Sequence, residues 1–380
     1  MSKVTLGQVA TEVRESTKDP AGLPIVGLEH LIPGEIRLTQ WSETSENTFT
    51  KLFHTGQVLF GRRRAYQKKA AVADFDGVCS GDITVIAAKP DRLLPDLLPF
   101  IVNDDRFFDF AMEKSAGSLS PRVKWAQLAE YAFDLPDDIE EQRSHAKLLW
   151  AIERSRSAYQ NLLSQMDELV KSQFVELFGD PVKNERAWAM KPIKDLYSVG
   201  SSKRIYAAEQ TTVGVPFLRV SDICSLIDRD NVQPSLYISE NKFAELESND
   251  LVPTANDILV TSRGTIGRCY IIKASDKFYF QDGMVTWLKQ KGFDIEPLYV
   301  STLFASNSFS ELLDKATNKT TVYYISIDKL AAIPIPVPPI ELQKQFTAFV
   351  EQTDKSKLAI RQALESLEKS RSAIITKVFG

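Results

Sequence analysis

The chain has 380 residues, a formal net charge of -4, 43% hydrophobic and 25% charged residues, an ordinary soluble composition with material for two or more domains. No stretch approaches the ~18 consecutive apolar residues of a membrane span, and the opening MSKVTLGQVATEVRES lacks an apolar run of signal-peptide length, so a cytoplasmic protein without membrane contact is expected. The mildly acidic balance argues against a simple nucleic-acid binder, although local basic patches rather than total charge make phosphate contacts.

Residues 1–138 mix short β-rich runs with turns. Residues 4–10 are a short amphipathic stretch, and 23–28 read as a buried strand. Residues 56–61 are a second apolar strand, followed at once by the basic run Arg62, Arg63, Arg64, Ala65, Tyr66, Gln67, Lys68, Lys69. Strands are expected over 70–73 and 83–87, with the turn-forming Cys79-Ser80-Gly81-Asp82 between them. A helix is expected over 96–112, then a Gly/Ser segment 117–121, a short helix over 125–128 and a closing Leu135-Pro136.

Residues 139–179 carry a heptad seam at Leu149, Ile152, Arg156, Tyr159, Leu163, Met166, Val170, Gln173 and Leu177. Such 3-4 spacing with charge on the other faces predicts a long helix that needs a helical partner. With no internal Gly or Pro it can be one helix of about 60 Å. The run returns at 340–380, Ile139 falling on Ile340 and Phe178-Gly179 on Phe379-Gly380, a constant offset of 201 residues. Its seam is Val350, Thr353, Lys357, Ile360, Leu364, Leu367, Arg371, Ile374 and Val378. Arg156 and Lys357 share one slot, where a basic residue costs stability and fixes register or partner.

Residues 181–338 repeat the order of the first globular region. Gly214 to Leu218 resembles Gly22 to Val26, 256–260 resembles 56–60, and Arg263 to Arg268 takes the place of 62–69. Gln281-Asp282-Gly283-Met284 lies 201 residues beyond Ser80 to Ile83. Residues 297–313 parallel the 96–112 helix, 318–321 the Gly117 segment and 327–330 the short helix. The second copy has a longer front end around 227–247. The chain is thus a tandem duplication with boundaries 1–138, 139–180, 181–338 and 339–380. The expected fold is α+β: two tandem α/β domains and two long helices that pair as an antiparallel coiled coil, related by a pseudo-two-fold.

Catalytic signatures are missing. There is no GxxxxGK[ST] loop, no Gly-rich cofactor turn after a strand and no Asn-Pro-Pro-Tyr-type run. His30, His54 and His145 are scattered, and Cys79, Cys224 and Cys269 have no ligand spacing, so reduced thiols and no metal are expected. The positive signal is basic turns. Arg62, Arg63, Arg64, Lys68 and Lys69 surround Tyr66 and Gln67, with Ser118 in the late turn. The second copy offers Ser262, Arg263, Thr265 and Arg268 at the same place, with Lys203, Arg204, Lys319 and Thr320 nearby. Arginine can pair with guanine edges, glutamine with adenine, and tyrosine can pack on sugar or base. Read as a solvated charge cluster, the same residues would suit a non-catalytic coiled-coil scaffold, but the recurrence in two domains favours DNA binding.

A tandem of globular domain and long helix, led in by Val337-Pro338-Pro339-Ile340-Glu341-Leu342-Gln343 and by the degenerate Leu135-Pro136-Asp137-Asp138-Ile139-Glu140-Glu141-Gln142, resembles the specificity (S) subunit of type I restriction-modification enzymes over essentially the full chain. The resemblance implies two target-recognition domains, each reading half of a bipartite site in double-stranded DNA, with the helix pair setting the spacer. It also implies two docked methyltransferase (M) subunits and restriction (R) subunits. S-adenosylmethionine, ATP and Mg would belong to those partners and no cofactor to this chain.

Overall fold

The computed structural model describes residues 1–43, 48–116, 120–229, 231–292, 295–317 and 323–380. The chain divides into two compact units, Met1–Leu162 with Ala359–Gly380, and Leu163–Leu358.

The main sheet of the first unit runs Ala10–Val13, Ile83–Ala88, Val58–Gly61, Ala70–Val72, antiparallel throughout. Successive side chains on a strand point to opposite faces. Val58 and Phe60 therefore enter a core with Phe107, Phe108 and Leu97, while Leu59 enters another with Ile83, Val85 and Phe53. A smaller sheet joins Ile25–Val26, Gly77–Cys79 and Lys51–Phe53, and Ser2–Thr5 pairs with Ala132–Leu135. The strand expected over 23–28 is only Ile25–Val26, because the Gly27 amide donates to His30 Nδ1 (2.9 Å) and opens a turn over Leu28–His30. Burial pushes the Cys79 thiol up to about 12, so it is a packed, unreactive group.

The second unit repeats the plan: Tyr197–Gly200, Val285–Gln290, Ile258–Thr261, Cys269–Ile271 in its main sheet. Ile258 and Val260 face one core and Leu259 the other. The longer front end is the helix Val220–Arg229, the strand Tyr237–Ile238 and the helix Glu240–Ser248. Ladder register corrects one alignment. Gly61 lies opposite Ile83 and Thr261 opposite Val285, so Asp82 corresponds to Met284 and not, as a fixed offset gives, to Gly283. The single helices expected over 96–112 and 297–313 are each broken. The first is Leu98–Val102 and Asp105–Glu113, separated where Asp104 accepts the Arg106 amide (2.8 Å) as an N-cap. The second is Pro297–Ala305 and Asn307–Ala316, interrupted by extended Ser306.

The long helices are Ile139–Phe178 and Ile340–Phe379, 40 residues each, about 60 Å at the usual rise. They pair antiparallel: in the second unit Asp167 meets Lys357 (2.7 Å) and Phe178 meets Phe346 (ring centroids 5.5 Å), one sequence ascending as the other descends. In the first unit Arg156 lies 3.8 Å from Glu368. The seam positions Leu149, Ile152, Arg156, Val350, Thr353, Lys357, Ile360 and Val378 are buried, and Tyr159, Leu163, Met166, Val170, Gln173, Leu177, Leu364, Leu367, Arg371 and Ile374 are half-buried. Arg156 is more than a helix-register device. Its charge is held chiefly by Glu153 (2.7 Å) on its own helix and Glu35 (2.9 Å) from the globular part, with Glu368 third. Burial opposes the charge, and the bonds to Glu153 and Glu35 outweigh it, raising its pKa.

Both helices begin on the same buried glutamine. Gln142 Oε1 accepts the Leu94 amide (2.8 Å), and its Nε2 donates to the carbonyls of Pro136 (2.9 Å) and Arg92 (3.2 Å). Gln343 Oε1 accepts the Glu296 amide (2.8 Å) and its Nε2 donates to the Pro338 carbonyl (2.8 Å). The degenerate first lead-in keeps its start because Asp138 accepts the Glu140 amide (3.0 Å) as a side-chain cap, where the second copy has Pro339.

On the surface of the first unit His54 is clasped by Asp76 (Nδ1, 2.9 Å) and Glu15 (Nε2, 3.0 Å). The bond to Asp76, then that to Glu15, raises the imidazole pKa above its ordinary value. A raised folded-state value means that the clasp contributes fully below the unfolded pKa of about 6.5 and is lost as pH rises through the folded value. His54→Gln should therefore lower the melting temperature of the first unit at about pH 6, with the gap to wild type closing as pH rises through the raised folded-state value. A gap that widens with pH would contradict the clasp.

Candidate nucleic-acid interface

The segment after each central strand is held by the same backbone frame. In the first unit the Arg62 amide donates to the Asp82 carbonyl (3.0 Å), the Val123 amide to the Arg62 carbonyl (3.1 Å), and the Arg64 amide to the Pro121 carbonyl (2.9 Å). In the second, the Ser262 amide donates to Met284 (2.9 Å), Ile325 to Ser262 (3.0 Å) and Gly264 to Tyr323 (3.2 Å). A β-bridge closes each frame, Arg63 opposite Arg122 and Arg263 opposite Tyr324. Arg64 (φ 56°) and Gly264 (φ 76°) occupy the same left-handed position, as do Lys68 (φ 51°) and Gly267 (φ 84°). Glycine adopts this geometry without strain, and an arginine there accepts a cost that the surrounding bonds must hold.

The frame divides the candidate residues. Arg64 and Tyr66 are exposed, Tyr66 by 54%, and Gln67 is half-buried. Arg63 donates from Nε to Ser120 and reaches Asp82 (3.3 Å), and Arg122, which the sequence did not single out, donates from Nε to Asp82 (2.8 Å). The Arg122 guanidinium, then burial working against it, sets the Asp82 carboxyl below its ordinary pKa. Arg62 keeps a buried Nε with no hydrogen-bond partner among the described residues. Lys68 pairs with Asp105. The Lys69 ammonium donates to the Leu28 carbonyl (2.7 Å), tying the turn to the fold.

In the second unit Ser262 is buried, with Oγ bonded to Thr286 Oγ1 (2.6 Å). Thr265 is exposed and its carbonyl accepts Thr261 Oγ1. Arg263 is half-buried at the bridge. Arg268 is paired with Asp228, Arg204 with Asp282 (2.8 Å), and Lys203 lies 3.9 Å from Glu245. Tyr323 (56% exposed) and Tyr324 (38%) stand beside Arg263 on the facing segment. Pattern reading missed them because a Tyr-Tyr pair carries no charge signal. Ser118, Lys319 and Thr320 lie outside the described residues. Among those described, no group of three or more His, Cys, Asp or Glu could hold a metal ion, and no helix is long and apolar enough to cross a membrane.

Residues 185–369 match the type I restriction modification DNA specificity domain family. The chain is 23% identical over 199 residues to a putative type I restriction enzyme MjaX specificity subunit of Methanocaldococcus jannaschii, covering 50% of this chain and 45% of that protein. It is 26% identical over 184 residues to the EcoDI specificity subunit of Escherichia coli, covering 45% and 40%. The chain thus spans about half the length of the curated relatives it matches. Among solved structures, the S subunit from M. genitalium superposes with TM-score 0.61 at 13% identity, covering 100% of this chain and 96% of that one. A chain from a type I R-M system superposes with TM-score 0.58 at 19% identity, covering 99% and 97%. Residues 185–369 thus match a type I restriction modification DNA specificity domain, and the chain shares its fold with the S subunit from M. genitalium.

Proposed function

We propose that this chain is the DNA sequence-specificity subunit of a type I restriction-modification assembly. Each globular unit reads one half of a bipartite site in double-stranded DNA, and the helix pair sets the spacer. Two methyltransferase subunits and the restriction subunits dock on this chain in the cytoplasm. They bring the S-adenosylmethionine, ATP and Mg, while this chain contributes recognition and no catalysis. The observation that carries the reading is the repeated turn: one backbone frame, built twice, presents different side chains at its surface. Conserved scaffolding with altered display suits two readers of two sequences, since base-edge contacts specify while phosphate contacts position. A coiled-coil scaffold alone leaves that repeated frame without a task.

Sequencing the methylome of the host with and without this gene tests it. A bipartite methylated-adenine motif should be present in the parent and absent after deletion. An unchanged methylome would sink the proposal.

A further inference from the structure

We infer that Arg122 reads a base edge in the first unit, with Asp82 as the positioning residue that holds it. This rests on the DNA-recognition reading above. Arg122 lies on the segment bridged to Arg63, outside the basic run that the sequence displays. Its Nε and Nη2 lie 2.8 and 3.4 Å from the two Asp82 oxygens, which fixes the plane of the guanidinium while 48% of the side chain stays exposed. Arg63, 39% exposed, leans on the other side of the same carboxylate. Asp82 is only 19% exposed and sits at the end of the buried strand Ile83–Ala88, so it is a fixed post.

Two arginines share one acid, and Arg64 beside them is exposed and has no carboxylate partner among the described residues, so the patch keeps net positive charge. An arginine held in plane by a carboxylate, with N–H groups left for solvent, is prepared for two parallel bonds to guanine O6 and N7. The second unit has Met284 in place of Asp82 and Tyr324 in place of Arg122. The Arg122–Asp82 pair therefore has no counterpart at the equivalent position of the second unit, where Arg268 and Arg204 are held elsewhere, by Asp228 and Asp282.

The test uses the assembled complex, purified through a tag on the full-length chain, and selection from a pool of randomised duplex DNA. Wild type should enrich a bipartite motif. Failure to enrich any motif would overturn the recognition reading itself, and this inference with it. Given a motif, Arg122→Gln should cut preference at one position of one half about tenfold or more and leave the other half intact. Arg122→Lys should do the same, since an ammonium cannot offer two parallel bonds in one plane. Asp82→Asn should weaken preference at that same position, and melting curves matching wild type would show that the folds are intact. An unchanged motif in both Arg122 variants overturns the inference while sparing the recognition reading. So does uniform weakening with a salt dependence shallower by about one phosphate contact, which would place Arg122 on the backbone.

Discussion

Removing residues 359–380 is expected to unfold the first unit and leave the second folded. Those 22 residues belong to the compact unit that begins at Met1. Ile375, Val378 and Phe379 are buried in the core that holds Phe133, Leu149 and Trp150, and the Phe379 ring meets Phe133 edge-on at 6.2 Å. Burying each such side chain contributes about 1.5–3 kcal/mol. Losing three together approaches the whole stability of a domain, about 5–15 kcal/mol. The second unit ends at Leu358 and keeps its own helical halves, including Phe346 and Val350. Hydrogen exchange on the truncated chain should show residues 1–138 losing protection while 181–338 keep theirs. Equal protection in both regions would contradict the assignment of the last helix to the first core. Phe379→Ala is the milder form, with an expected cost of about 3–5 kcal/mol.

The second large effect is at the buried glutamines. Gln142→Leu keeps the volume but strips partners from the Leu94 amide and the Arg92 and Pro136 carbonyls. An orphaned buried group costs about 1–3 kcal/mol, so a loss of about 2–4 kcal/mol in the first unit is expected. Gln142→Glu should cost more, because a carboxylate would face two carbonyl oxygens at a site only 1% exposed. Gln343→Leu should produce the matching loss in the second unit, where the Glu296 amide and Pro338 carbonyl are left alone. Denaturant unfolding read separately for each unit measures this. A Gln142→Leu chain as stable as wild type would mean that water replaces the side chain.

The duplication and the helix pair were legible because periodicity and a constant offset survive side-chain divergence. What was lost follows from the same physics. Phe174 and Phe178 fall one residue from the seam positions Gln173 and Leu177, yet they are the buried ones at that end. There the helix packs at once on its globular core, against Tyr299, and on the partner helix, against Phe346, a wider face than a heptad seam registers. The equivalence of Arg62 with Ser262 is carried by backbone bonds, to which side-chain comparison is blind. Composition marks Lys69 and Arg64 as equal cations. Only coordinates separate the one tied to the Leu28 carbonyl from the one at the surface.

The helix that closes the first core also sets a timetable for synthesis. Phe133 and Trp150 leave the ribosome early, while Phe379 is the penultimate residue of this sequence. At about 5–20 residues per second, the intervening roughly 230–250 residues take about 10–50 s to make. Through that interval the apolar faces of Leu149 and Trp150 have no Ile375 or Val378 to cover them. Nascent chains stalled before residue 359 should therefore bind chaperones and aggregate more readily than chains that include residues 359–380, so that the unit begun before the other is completed after it.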